Sequence, residues 1–103
     1  MSTNTQIALR LPHAPDPTTV ELLYRTFGDV LIPLEKLRVQ YFRNLNEETF
    51  ADHLKDGRIS LPTFTLGSSQ KDLKYAHIRH VAALIDNRAY LADEKQSSPA
   101  AKQ

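Results

Sequence analysis

The chain contains no cysteine, only three glycines and one methionine among its 103 residues, and no long apolar run. Without cysteine it forms neither disulfides nor thiolate metal sites, which fits a reducing compartment. No stretch approaches the roughly 20 apolar residues that span a bilayer. The polar N-terminal residues lack the basic and apolar regions of a signal peptide. We therefore expect a cytoplasmic protein without membrane contacts.

Marks of catalysis and of metal binding are also missing. The sequence has no nucleophile elbow, no glycine loop that would cradle phosphate and no HExxH pattern, so we expect no enzyme. His77 and His80 are three residues apart, but no third clear ligand accompanies them. We therefore expect no metal and no cofactor, and we interpret His77 as an architectural or capping residue.

The charge of the chain is nearly balanced overall but unevenly distributed. The net charge is +1, and the length suits one domain with a modest core. Residues 1–32 sum to −1, residues 33–67 are neutral, and residues 68–85 carry an excess of two positive charges. A surface that contacts phosphates would need its positive excess in such a segment.

The N-terminal part reads as a loose arm followed by a well-delimited helix. Residues 1–15 are polar with two prolines and predict a flexible arm. Asp16 is a good N-cap and Pro17 suits the first helical position, so a helix is predicted over 17–27. Gly28 is the expected C-terminal cap. The apolar face of this helix is predicted to comprise Val20, Leu23, Tyr24 and Phe27.

A short strand and two further helices are predicted next. Residues 30–32 form an apolar run that is expected to pair with a later hairpin, and Pro33 opens the second helix. Asn46 ends a turn and is expected to cap a third helix over 47–56, where early acids favour the helix N-terminus. The side chains expected to face inward are Leu34, Leu37, Tyr41 and Phe42 in the second helix and Phe50, Ala51 and Leu54 in the third.

The C-terminal half alternates in the manner of a hairpin and then resumes a helical period. Phe64 and Leu66 alternate with threonines, which predicts a half-buried strand with both apolar side chains inward. The predicted elements are strands over 58–66 and 73–78 around a turn at 67–72, a helix over 79–91, and a disordered tail over 92–103. This order predicts a mainly α protein with a small β-hairpin, a winged helix-turn-helix whose DNA-binding domain spans residues 16–91.

Several short motifs resemble the pyocin activator family typified by PrtN, over roughly residues 20–90. The resemblance implies sequence-specific binding to double-stranded promoter DNA and activation of bacteriocin or prophage genes, with contact to RNA polymerase a further expectation. The layout is also similar to excisionases and MerR-type heads. The motifs are Ile32-Pro33-Leu34-Glu35, Tyr41-Phe42, Asp56-Gly57-Arg58-Ile59-Ser60-Leu61-Pro62, Ser68-Ser69-Gln70-Lys71, His77 and Leu84-Ile85-Asp86-Asn87-Arg88.

The third helix and the hairpin turn supply the candidate DNA contacts. Glu48 and Asp52 are expected at the centre of the outward face, where acids lower electrostatic affinity, although a glutamate can accept from the cytosine amino group. A solvated surface helix and an ordinary hairpin turn remain the alternatives for these two elements. The candidate contacts are Arg43, Asn46, Glu48, Thr49, His53, Lys55, Arg58, Ser68, Ser69, Gln70, Lys71 and Lys74.

Two other functions stay open at this point. An excisionase-like architectural protein would use the same fold to bend DNA, and a protein-interaction adaptor would use the acidic helix face for a partner. Because one small domain buries limited DNA surface, we also expect a homo-oligomer.

Overall fold

The computed structural model describes residues 14–69 and 71–97, and it is mainly helical with one small antiparallel sheet. The elements in chain order are α1 (Pro17–Phe27), β1 (Leu31–Pro33), α2 (Leu34–Tyr41), α3 (Glu47–Lys55), β2 (Phe64–Thr65), β3 (Lys74–His77) and α4 (Ile78–Ser97).

Helix α1 has the ends that its sequence predicts. The Asp16 carboxylate accepts from the backbone N–H of Thr18 at 2.8 Å, and Pro17 occupies the first turn. At the other end Gly28 adopts φ +77°, the left-handed region that glycine enters without steric cost, and its N–H donates to the Tyr24 carbonyl at 2.7 Å. The predicted helix over 17–27 is confirmed.

The sheet has the strand order β1-β3-β2, and both pairings are antiparallel. Ile32 lies opposite Ala76, so the short apolar run after α1 pairs with the hairpin as expected. Phe64 lies opposite Tyr75 in the other pair. We call residues 64–77, from β2 through β3, the ribbon.

The core lies where the sheet meets the helices. Among the described residues, the largest fully buried side chains are Ile32, Leu37, Ile78 and Val81. Helix α1 packs against α4, α4 packs against β3, and α2 packs against β1, β3 and α3. No helix in residues 14–69 and 71–97 is long and apolar enough to cross a membrane.

The turn between α2 and α3 is held by Arg38. Its guanidinium donates to the Leu45 carbonyl at 2.8 Å and makes two hydrogen bonds to the Glu35 carboxylate, at 2.6 and 3.1 Å. The Leu45 N–H donates to the Phe42 carbonyl at 2.9 Å. These bonds fix how α3 leaves α2.

Several side chains that were predicted to face inward are exposed instead. Tyr24 and Tyr41 are 50% and 44% exposed, which a ring that ends in a polar hydroxyl tolerates. The Tyr41 ring also meets Phe27 edge to face, with the ring centres 6.2 Å apart. Ala51 is exposed on the side of α3 that borders an open groove. Leu66 is exposed because the ribbon extends beyond the core at that point.

The predicted ends of the C-terminal elements need correction. The first hairpin strand, Phe64–Thr65, is only two residues long, and Pro62, which cannot donate to a strand ladder, lies just before it. Helix α4 runs to Ser97 rather than to residue 91, because residues 92–97 contain alanine, glutamate and lysine, which favour helix, and no proline or glycine. Disorder from residue 92 is therefore wrong for 92–97. Residues 1–13 of the predicted arm over 1–15, and residues 98–103 of the predicted tail over 92–103, lie outside the described residues.

Candidate nucleic-acid interface

Helix α3 is fixed at its start and along its inner face. The Asn46 side-chain oxygen accepts from the Thr49 N–H at 2.7 Å, as the cap prediction requires. Phe50 is buried against Phe42, with the ring centres 5.1 Å apart, and Leu54 is partly buried one turn later. The remaining arc of the helix is left to solvent.

The solvent arc of α3 divides into a centre and two flanks. At 100° per residue, Glu48 and Asp52 lie at its centre, and both are exposed, as expected. Lys55 lies toward one flank. Thr49 and His53 are half-buried on the other flank, so they are separated from Lys55 by the two acids.

The flank that carries Lys55 faces the ribbon across an open groove of about 550 Å³. Lys55 and Ala51 line the groove from α3, and Thr63 and Lys74 line it from the ribbon side. Both walls contribute side chains to one concave surface, so Lys55 of α3 and Lys74 of the ribbon border the same groove. Glu35 and Glu47 also line the groove, so its charge is mixed.

This surface continues from the groove to the ribbon turn. Thr63 and Lys74 also line a second depression, of about 420 Å³, which reaches Ser68 and Ser69. Four of the predicted contacts, Lys55, Ser68, Ser69 and Lys74, are thus brought onto one continuous surface. The lysine side chains on it make no ion pair in the part of the chain that the structure describes.

Hydrogen bonds hold the ribbon turn in shape. The Asp72 carboxylate accepts from the Ser69 N–H at 3.3 Å, and the Asp72 N–H donates to the Ser69 carbonyl at 3.2 Å. The Ser69 hydroxyl oxygen accepts from the Lys71 N–H at 3.1 Å. Lys71 therefore leaves a structured turn with an exposed side chain. Gln70, another predicted contact, lies outside the described residues.

Arg58 is engaged by neighbours on the protein. Its guanidinium forms an ion pair with Asp56 at 2.9 Å and lies 3.1 Å from Nε2 of His53. The backbone N–H of Arg58, with the guanidinium as a further cause, holds the pKa of the Asp56 carboxyl below its ordinary value. Arg58 and His53 thus form a cluster at the C-terminal end of α3 in which Asp56 offsets the cation.

The turn before α3 carries one further cation. Arg43 is exposed and makes no ion pair within the described residues. Arg38, five residues earlier, stabilises the turn itself through its hydrogen bond to the Leu45 carbonyl. Its hydrogen bond to Glu35 is the main cause that lowers the pKa of Glu35, and the Glu35 carboxylate raises the pKa of Arg38. The sequence analysis did not give Arg38 this role, although the Glu35 and Arg38 spacing of three is a helix-pair signal.

His77 and His80 approach each other, and His77 caps the start of α4. The rings of His77 and His80 are 5.9 Å apart, nearer than the sequence analysis assumed. Nδ1 of His77 accepts from the Arg79 N–H at 3.0 Å, which gives the start of α4 a side-chain cap. In residues 14–69 and 71–97 no group of three or more potential ligand residues comes together around a metal position.

The chain matches a known protein family over most of its length. A family model described as Pyocin activator protein PrtN matches residues 19–92, a span that holds most of α1, the sheet, α2, α3, the ribbon and most of α4. No curated protein and no solved structure matches the chain significantly.

Proposed function

The chain belongs to the pyocin activator protein PrtN family, and from this premise we propose that it binds double-stranded DNA sequence-specifically and activates bacteriocin or prophage genes. The family consists of transcriptional activators rather than enzymes. The observation that supports DNA binding most directly is the shared groove between α3 and the ribbon, with Lys55 on one wall and Lys74 on the other.

In this proposal the domain from residue 16 through α4 acts as a winged helix-turn-helix. Helices α2 and α3 with their Arg38-braced turn form the helix-turn-helix, and the ribbon is the wing. Helix α3 enters the major groove while the wing lies over the neighbouring phosphates. The groove that α3 shares with the ribbon supports this arrangement, because a wing on the side of the domain away from α3 could not contact the same duplex.

The proposed contacts divide by chemistry. Lys71 and Lys74 pair with phosphates, and Ser68, Ser69 and Gln70 donate to backbone oxygens. Arg43 reaches the phosphate beside the α3 N-terminus. The base-reading set on α3 is Asn46, Glu48, Thr49, His53 and Lys55, with Arg58 at its end.

Salt-dependent DNA binding tests this proposal. Replacing Lys71 and Lys74 with alanine should weaken binding to all sequences alike and reduce the slope of log affinity against log salt by about one per lysine. Thr49→Val should instead change the preferred sequence. Lys95→Ala, at an exposed position near the end of α4 that does not line the groove, is the matched charge control and should change neither property. If the protein binds no duplex from a random-sequence pool at low salt, DNA binding is wrong.

One alternative function has a specific observation in its favour. Glu48 and Asp52 are exposed and make no ion pair among the described residues, so a basic partner protein could bind this face. Such an adaptor would bind its partner protein, and it would not show the steep salt dependence that DNA binding has when counterions are released.

An excisionase-like role would use the same DNA contacts, and strong bending at tandem sites in an attachment region would favour it.

The proposal includes a cytoplasmic homo-oligomer, with contact to RNA polymerase as the route to activation. Exposed apolar side chains lie on both outer helices: Leu22 and Tyr24 on α1, and Tyr90 and Leu91 on α4. Covering them with a second copy would bury apolar area. Sedimentation that shows a monomer both free and on DNA would contradict the oligomer.

A further inference from the structure

An apolar groove lies between α2 and α4, and the proposed DNA contacts do not use it. Its volume is about 260 Å³, and it shares no lining residue with the groove beside α3 or with the depression at the ribbon turn. Leu37, Ile59 and Val81 line it and are nearly fully buried, so the groove reaches the core. Because no candidate DNA contact lines it, a second partner can occupy it while DNA is bound.

Residues of three sequence motifs meet on this groove. Tyr41-Phe42, Ile59 and Leu84-Ile85 belong to separate motifs of the family resemblance, and Arg88 ends the last of these motifs. Packing in the core accounts for Ile59, whereas Tyr41 and Arg88 line the groove and are exposed. The DNA-binding proposal therefore leaves the exposed part of these motifs without a role.

The two polar side chains that line the groove can both donate hydrogen bonds. Arg88 is the one charged lining residue, and it makes no ion pair or hydrogen bond with any residue that the structure describes. The Tyr41 hydroxyl is the other polar group and can donate as well. An occupant that brings a carboxylate would complement both donors, since a guanidinium binds a carboxylate through two parallel hydrogen bonds.

The size of the groove favours side chains of a protein over a free small molecule. Sites that enclose drug-sized ligands have volumes of about 300–1,000 Å³ and cover most of the ligand surface. This groove is smaller, at about 260 Å³, and it is open to solvent. It suits apolar side chains that project from a backbone lying outside, as when an amphipathic helix docks in a groove.

We propose that this groove binds an acidic amphipathic segment of a partner protein, whose apolar side chains lie between α2 and α4 while a carboxylate pairs with Arg88. The inference rests on the proposed function, because an activator bound to DNA needs a further surface for the transcription machinery. Binding of a peptide to the groove can be measured without DNA, so the two proposals are tested separately.

A second copy of the chain fits the groove less well. Leu91 is an exposed apolar residue of α4 about one turn beyond Arg88, and Leu84 lies about one turn before it. If a two-fold axis placed Leu91 of one copy beside Leu84 of the other, the two Arg88 side chains would meet at the axis. Like charges that face each other across an interface weaken binding, so the charge of the groove favours an acidic partner.

A phage-displayed library of short random peptides, selected against the full-length protein, tests the proposal. The recovered peptides should combine large apolar residues with aspartate or glutamate. A recovered peptide, synthesised with a fluorophore and followed by anisotropy, should bind the free protein and the DNA-bound protein with the same affinity, because the lining residues are not DNA contacts.

Reversal of one charge provides the sharper measurement. Arg88→Glu should weaken binding of the acidic peptide about tenfold, because an attraction at a partly exposed site becomes a repulsion. Replacing the acids of the peptide with lysine should restore binding to that variant, which a merely structural role of Arg88 would not do. Lys36→Glu, at an exposed position of α2 that does not line the groove, is the matched charge control and should bind like the wild type.

The outcomes distinguish this proposal from DNA binding. If no acidic apolar peptide is recovered, or if Arg88→Glu binds it as the wild type does, the docking surface is wrong while DNA binding stands. If Arg88→Glu instead converts an oligomer to a monomer in sedimentation, the groove holds a second copy and the proposal is wrong. If the wild-type protein binds no duplex, the proposed function fails whatever the peptide result.

The link to activation is tested at a promoter that the wild-type protein binds and activates. Arg88→Glu should bind that promoter with unchanged affinity and lose most of the activation of a reporter gene. Full activation by this variant would show that the groove does not contact the transcription machinery.

Discussion

Asp86 joins the two outer helices through both of its carboxylate oxygens. One oxygen accepts from the backbone N–H of Asp16 and the other from the Thr19 hydroxyl, each at 2.8 Å. The two partners belong to the first turn of α1, about 70 residues away in sequence. We predict that Asp86→Ala destabilises the fold, because it leaves an N–H and a hydroxyl at the α1 start without their partner.

The expected size follows from the environment of each bond. A hydrogen bond to a charged group contributes about 1.5–3 kcal/mol when it is shielded, and less when water can replace it. The Thr19 bond is partly buried and the Asp16 bond is exposed. Asp86→Ala should therefore lower the free energy of unfolding by about 2–3 kcal/mol, and the Tm by roughly 10–20 °C in a domain of this size.

Two further variants separate charge from shape. Asp86→Asn keeps an acceptor and a donor of the same size but loses the negative charge beside the α1 N-terminus, so it should cost about 1 kcal/mol. Thr19→Val removes only the hydroxyl and should also cost about 1 kcal/mol.

Urea unfolding followed by circular dichroism measures all three variants, and the slope with denaturant should stay constant. A cost for Asp86→Ala below about 0.5 kcal/mol, or one equal to that of Asp86→Asn, would refute this account.

Two other predictions concern pH and backbone conformation. Burial, with His77 and Arg79 nearby, lowers the pKa of His80 from 6.5, so the unfolded chain binds the proton more readily and stability should decline as pH falls below about 6.5. In thermal melts between neutral and mildly acidic pH, His80→Gln should lose less stability than the wild type as the pH falls. If the variant loses as much stability as the wild type, groups other than His80 cause the loss. Gly57 has φ +86°, and the space that a Cβ would occupy there is open, so Gly57→Ala should cost about 1–2 kcal/mol through backbone strain alone. Gly57→Asn should cost less, because asparagine adopts the left-handed conformation more readily than alanine. Equal costs for the alanine and asparagine variants would contradict backbone strain as the cause.

The local ends of the helices could be predicted from sequence because their signals are local. Asp16 and Asn46 accept hydrogen bonds from amides two and three residues away, and Gly28 takes the left-handed conformation that stops α1. Each of these interactions depends on a few adjacent residues, so no knowledge of the tertiary structure was needed.

Burial was predicted less well, because it depends on which neighbour covers a face. Tyr41 has the right period for a core residue, but it borders an open apolar groove with Leu84 and Ile85. Leu66 alternates correctly, yet its strand projects past the helices that would cover it. In each case periodicity identified a face of the element and tertiary packing decided whether that face was covered.

The candidate site was likewise predicted only in part from the sequence. The sequence placed Lys55 and Lys74 in the correct elements, but the groove that joins them depends on how α3 packs beside the ribbon. Conversely, Asp86 belongs to the motif that carried the family resemblance, and the structure gives it a role in helix packing. A motif can therefore identify a family through residues that hold the fold.

The electrostatics of the proposed interface limit what one copy can do. Among the described residues of this interface, the exposed cations that form no ion pair are Arg43, Lys55, Lys71 and Lys74. The three proposed phosphate contacts, Arg43, Lys71 and Lys74, give a slope of log affinity against log salt of about −2.7 for one copy. Lys55, which is proposed to read bases, extends this to at most about −3.6 for one copy and about −7 for two. Glu48 and Asp52 at the centre of α3 add no phosphate contact and oppose close approach. A measured slope steeper than about −4 therefore requires at least two copies on the DNA, whereas a slope no steeper than about −0.9, the contribution of Arg43 alone, would mean that the lysines do not contact phosphates.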